Sequence, residues 1–188
     1  MPYPRSICVY CASSDQAPAV YLEAAKALGQ IMAERQIDLI YGGGQVGLMG
    51  AVARSVHQCG GRVIGVIPDY LRTKELAYER ADQLLVTSGL RERKAVMEQH
   101  AGAFITLAGG FGTLEETIEC ITLKQLKQHD RPIIILNTNG FYEDLLRQFD
   151  KFYQESIASE KCQDLFSILS QPADAVNAIE SVWQQGTV

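Results

Sequence analysis

Short β-rich runs alternate with amphipathic stretches along the whole of this 188-residue chain, and no other feature restricts its fold as much. The β-rich runs cover 6–10, 38–41, 62–67, 83–87, 103–107 and 132–137, with a weaker candidate at 165–169. Helical periodicity fills 17–35, 46–59, 90–100, 114–128, 141–155 and 173–184 between them. The breaks are chemically sensible: Gly60-Gly61 ends the second helix, His129-Asp130-Arg131-Pro132 ends the fourth, and Asn139-Gly140 opens the fifth. Strands that alternate with helices pair in parallel, so the order predicts an α/β fold: a Rossmann-like, doubly wound, mostly parallel sheet of about 6–7 strands with helices on both faces. Ligands of such sheets sit beyond the carboxyl ends of the strands, where both glycine-rich turns of this chain fall.

The length suits a single nucleotide-binding domain spanning 1–188, burying roughly 70% of the surface of the unfolded chain. Apolar residues make up 47% and charged residues 21%, and no apolar run approaches the ~18 residues of a membrane span, so a soluble, cytoplasmic protein is expected. Met1-Pro2-Tyr3-Pro4-Arg5 lacks the long apolar region of a signal peptide. A formal charge of −5 and the lack of a Lys/Arg-rich block argue against a nucleic-acid partner, though a local anion pocket is compatible with both. Cysteines 8, 11, 59, 120 and 162 are odd in number and scattered, which fits reduced thiols. Cys8 and Cys11 spell C-x-x-C, but residues three apart on a strand point to opposite faces, and no metal site is completed.

Three constellations carry chemistry. Residues 108–116 read Ala-Gly-Gly-Phe-Gly-Thr-Leu-Glu-Glu between a strand and a helix. Glycines there admit close approach by a ligand, and a helix start aims unpaired amides at an anion, so Gly109, Gly110, Gly112 and Thr113 form a candidate phosphate cradle. Thr113 and Glu116 also have capping-box spacing, which gives Glu116 an ordinary structural role. The second turn, Tyr41-Gly42-Gly43-Gly44-Gln45-Val46-Gly47-Leu48-Met49-Gly50, matches G-x-G-x-x-G after a strand and before a helix. It offers Gly43, Gly44, Gly47 and Met49 to a ligand, or else a close helix packing at Gly47 and Gly50. The third is Arg91-Glu92-Arg93-Lys94 at a helix start, where the dipole disfavours cations; an anionic ligand resolves the misfit, and a solvated charged face is the plain alternative. Ser13 and Ser14 either cap the first helix, in competition with Asp15, or approach the ligand. Glu119 shares part of the helix face of Glu116. Met32, Met49 and Met97 read as core, His57, His100 and His129 as structural, and 68–82 as either an active-site loop or a surface connection.

Together, residues 7–14, 41–50, 65–68, 92–94 and 108–116 resemble the LOG ("lonely guy") family of cytokinin riboside 5′-monophosphate phosphoribohydrolases, formerly labelled lysine decarboxylases. The resemblance runs from about residue 6 to residue 155, five motifs in order. It implies a Rossmann-like homodimer that hydrolyses the N-glycosidic bond of a nucleoside 5′-monophosphate, with no metal or redox cofactor. Its paired catalytic arginine and glutamate fall on Arg93 and Glu116, with Lys94 offering a further positive charge. Ala108 stands where the family motif has proline, and Gly102 where relatives carry an acid. Two other readings use the same turns: a non-catalytic nucleotide or molybdenum-cofactor carrier, and a dinucleotide site for redox chemistry, for which no hydride-transfer acid or base is evident.

Overall fold

The computed structural model describes residues 5–73 and 76–185. Seven strands form one parallel sheet: β1 (Ser6–Tyr10), β2 (Asp38–Tyr41), β3 (Val63–Pro68), β4 (Gln83–Thr87), β5 (Ala103–Thr106), β6 (Ile133–Leu136) and β7 (Ser167–Leu169). Six helices connect and cover them: α1 (Ala19–Glu34), α2 (Gly47–Gln58), α3 (Leu90–His100), α4 (Phe111–Gln125), α5 (Glu143–Gln154) and α6 (Pro172–Gln185). The expected doubly wound sheet is therefore present.

Burial explains why the central strands read as unbroken apolar runs. Ile7 and Val9 of β1 enter one core with Leu28 of α1, Val52 of α2 and Ile179 of α6. Cys8 and Tyr10, one residue out of phase, enter the other core with Met97 of α3 and Cys120 of α4. A strand with helices on both faces has no solvent side, so apolar residues fall on both faces, with only Ser6 and Thr106 polar in β1 and β5. The same alternation sends Cys8 and Cys11 to opposite cores, and all five cysteines are free thiols.

The strand order is β4-β3-β2-β1-β5-β6-β7. The chain winds outward from β1 to β4, then returns through α3 to place β5 on the other side of β1. Winding reverses between β1 and β5, so the loops at their carboxyl ends diverge and leave a crevice. Residues 11–14 and 107–112 occupy that point.

Two local expectations fail. Helix α4 starts at Phe111, three residues before the periodicity suggests, with Gly110 as its N-cap. Thr113 therefore lies inside the first turn, no side chain caps the helix, and the capping box does not form. Neither Ser14 nor Asp15 caps α1, whose N-cap is Pro18; Ser14 instead accepts from the Gln16 amide at 3.2 Å.

Candidate active site

A cavity of about 460 Å3 opens at the switch point. Residues from five connections line it, among them Cys11, Ser13 and Ser14 after β1, Gly44 and Met49 after β2, and Gly110, Gly112 and Thr113 after β5. Ile67, Leu71 and Leu76 supply an apolar wall, and Arg93 and Glu116 a charged floor.

The floor brings α3 and α4 together. Arg93 Nη1 donates to Glu116 Oε1 at 2.9 Å, and Arg93 Nε donates to the Val66 carbonyl at 3.0 Å. Both side chains are nearly buried, at 13% and 9% exposure. The guanidinium reaches this position past Gly42, where a Cβ would lie 1.8 Å from Nη2. Gly42 is a site-building residue that sequence reasoning left among the pattern glycines; the signal was the pattern itself, but the reason is clearance for a side chain 51 positions away. Burial pushes the Glu116 carboxyl above its ordinary value, against the opposing pull of Arg93.

Lys94 does not share the cavity with Arg93. It is 14% exposed and held by Glu115 and Glu119, the latter at 2.6 Å. Burial lowers its pKa, but the two carboxylates outweigh that and raise it. Arg93 and Lys94 thus answer to carboxylates of α4, so neither a ligand nor a solvated face is needed to explain Lys94. Glu92 turns back to accept from the amide and hydroxyl of Ser88, at 2.7 and 2.6 Å.

Also on the cavity lining, the N-cap of α4 is Gly110, whose lack of a side chain leaves the first-turn amides uncapped. Phe111 is 93% exposed beside them, whereas Thr113 is buried. Gly109 lies just outside the lining: a Cβ there would meet Thr113 Oγ1 at 2.1 Å, so the residue lets the turn close over the helix. Ala108, at the motif's proline position, is buried, and its carbonyl accepts from the Ala12 amide at 3.1 Å, tying the two crevice loops together.

The turn after β2 is built differently from a phosphate loop. Asp15 Oδ1 accepts from the Gly47 amide at 2.8 Å, and the Ala12 carbonyl accepts from Leu48 and Met49 at 3.0 and 3.3 Å. The first amides of α2 are therefore consumed by the β1 loop. Gly47 adopts φ +58°, and a Cβ would lie 2.6 to 2.7 Å from the backbone of Ser13 and Ser14. Gly43, at φ +72°, packs on Ile67. These two glycines shape the turn, while Gly44 and Met49 face the cavity.

The long segment after β3 crosses back over this turn through a Gly44–Ala77 bridge and delivers Leu71 and Leu76 to the wall. Its lack of periodicity hid both residues. Glu119 lies outside the cavity on Lys94, and among the described residues no cluster of His, Cys, Asp and Glu could hold a metal ion.

Residues 49–179 match the family described as "Possible lysine decarboxylase". The cytokinin riboside 5′-monophosphate phosphoribohydrolase LOG of Oryza sativa subsp. japonica is 46% identical over 168 residues, covering 89% of this chain and 69% of the relative. This chain belongs to the LOG family. A LOG-family phosphoribohydrolase of Arabidopsis thaliana is 44% identical over the same share of this chain, covering 77% of its own. Among solved structures, the molybdenum cofactor binding protein of Rippkaea orientalis superposes with a TM-score of 0.73 at 22% identity, covering 94% of this chain and 96% of that one. The molybdenum cofactor carrier of Chlamydomonas reinhardtii gives 0.72 at 20%, covering 96% and 98%. At that identity the likeness is one of fold: a Rossmann-like sheet shared with the LOG family.

Proposed function

We propose that this protein hydrolyses the N-glycosidic bond of a nucleoside 5′-monophosphate, AMP or a cytokinin riboside 5′-monophosphate, to the free base and ribose 5-phosphate. The observation that carries the reading is the buried Arg93–Glu116 pair, 2.9 Å apart, on the floor of a cavity that ends at an uncapped helix start. Relatives more than 40% identical bear that activity in their names.

The arrangement sorts the substrate by chemistry. Phosphate is placed on the first-turn amides of α4, around Gly110, Gly112 and Thr113, where the helix dipole favours an anion. The base lies along Met49, Ile67, Leu71 and Leu76, which leaves the ribose over Glu116. As the bond from the anomeric carbon to the base nitrogen breaks, its electron pair leaves with the base and positive charge grows on the sugar ring. The Glu116 carboxylate stabilises that charge and takes a proton from the attacking water, whose oxygen bonds to the anomeric carbon; the proton finally resides on the departing base. Arg93 holds the carboxylate in place, and Lys94 fixes α3 against α4 one step behind. Ser13 and Ser14 border the phosphate end. Among the described residues no lysine lines the cavity, so the amine that pyridoxal-dependent decarboxylation requires is not in place.

The protein acts as a homodimer in this reading. Phe111, Ile118 and Leu126 leave exposed apolar surface along α4 that a second copy can cover. Sedimentation is expected to give twice the chain mass. The activity is tested by incubation with AMP and with isopentenyladenosine monophosphate, assaying base and ribose 5-phosphate; binding of either without release of base overturns hydrolysis in favour of a carrier.

A further inference from the structure

The segment that walls the cavity is anchored from behind by a chain of three side chains outside the proposed chemistry. Between β3 and β4 the backbone crosses to the glycine turn, where Gln45 N donates to the Leu76 carbonyl at 2.8 Å and Tyr78 N to the Gly43 carbonyl at 2.9 Å. Leu76 faces the cavity, and Tyr78, two residues on, is buried in the core. Its hydroxyl lies 2.9 Å from His57 Nδ1, on the last turn of α2. His57 Nε2 lies 2.9 Å from Asp82 Oδ2, and the same oxygen accepts from the Val63 amide at 2.7 Å.

One assignment of hydrogens satisfies every group. Ionised Asp82 can only accept, so His57 Nε2–H donates to it; Nδ1 is then bare and accepts from the Tyr78 hydroxyl. The amide of Val63 and the His57 ring hold the Asp82 carboxyl below its usual range in spite of partial burial. Arg54 and Arg80 line a shallow depression together with His57 and Tyr78. One imidazole therefore joins α2, which carries Met49, to the segment carrying Leu76, and through Asp82 to the first residue of β3, which carries Ile67.

We propose that His57 is a positioning residue for substrate binding: through Tyr78 and Asp82 it holds the Met49–Ile67–Leu76 wall at the width of the base. The inference rests on the function proposed above. It predicts a specific split in kinetics, because the wall binds the base whereas Glu116 and Arg93 do the chemistry.

Two variants test it, Tyr78→Phe, which removes one hydroxyl and keeps the buried ring, and His57→Phe, which removes both bonds. Each is measured for AMP hydrolysis and for amide hydrogen exchange without substrate. The expected result is a KM raised at least fivefold with kcat within twofold, and at least tenfold faster exchange at the amides of Gln45 and Tyr78. Unchanged KM overturns the inference, whether or not exchange accelerates; so does unchanged exchange at these two amides. If His57→Phe fails to fold, Tyr78→Phe alone decides. If the wild-type protein releases no base, the functional reading has failed, and calorimetric Kd for AMP replaces KM with the same fivefold criterion.

Discussion

If Glu116 is the base proposed above, its burial sets the pH dependence of the reaction. In the proposed mechanism Glu116 acts as the ionised base, and desolvation raises its pKa against the pull of Arg93. The acid limb of kcat/KM is therefore expected above the ordinary glutamate value of about 4.3, and a limb at or below that value argues against Glu116 as the base. The stability consequence has a definite sign. A carboxyl whose folded pKa is raised contributes most below its unfolded pKa, and that contribution is lost as pH rises through the folded value. Glu116→Gln keeps an oxygen for Arg93 Nη1 and removes the charge, so the folded state is expected to survive while turnover falls by about a thousandfold. Near-normal base release by that variant contradicts the assignment. The sequence singled out both residues in separate constellations, but their pairing came only through a family resemblance. Their 2.9 Å contact joins two helices 23 residues apart, and its dependence on a bare Gly42 is a matter of clearance that spacing cannot reveal.

At the scale of elements, the strand and helix order was legible because burial on both sheet faces writes itself into the apolar pattern. What spacing missed were ends and crossings. Helix α4 starts early since a glycine N-cap carries no side-chain signal, and α2 is capped from another loop, by Asp15, 32 residues before Gly47. That cap makes a clean test: Asp15→Ala is expected to cost about 1 kcal/mol in urea unfolding, typical of a lost N-cap. Gly47→Ala is expected to cost more, above about 2 kcal/mol, because a positive φ and a collision with the Ser13–Ser14 backbone act together. A cost for Gly47→Ala no larger than for Asp15→Ala would show that the two turns are not locked as described. The wall segment was equally opaque, since Leu71 and Leu76 belong to no repeating pattern and the stretch carrying Leu76 is held by backbone bonds from Gln45 to Leu76 and from Tyr78 to Gly43.

At the scale of the molecule, the switch between β1 and β5 divides the site between the two halves of the sheet. In the proposed binding mode the residues for the base come from the β2 and β3 side, the helix start for the phosphate comes after β5, and Arg93 lines the same cavity from α3. A nucleotide in the cavity touches both halves, so binding couples to global unfolding and to more than one loop. Glu116→Gln permits the measurement without consuming the ligand. At AMP concentrations about 100 times Kd, linkage adds about 2.7 kcal/mol, and at about 2 to 4 °C per kcal/mol for a chain of this size the unfolding midpoint should rise by about 5 to 11 °C. Hydrogen exchange should slow on both sides of the switch, in the 42–49 turn and in the first turn of α4. Protection confined to α4 with no rise in midpoint would mean that the phosphate alone is held, and that the apolar wall of Ile67, Leu71 and Leu76 does not receive the base.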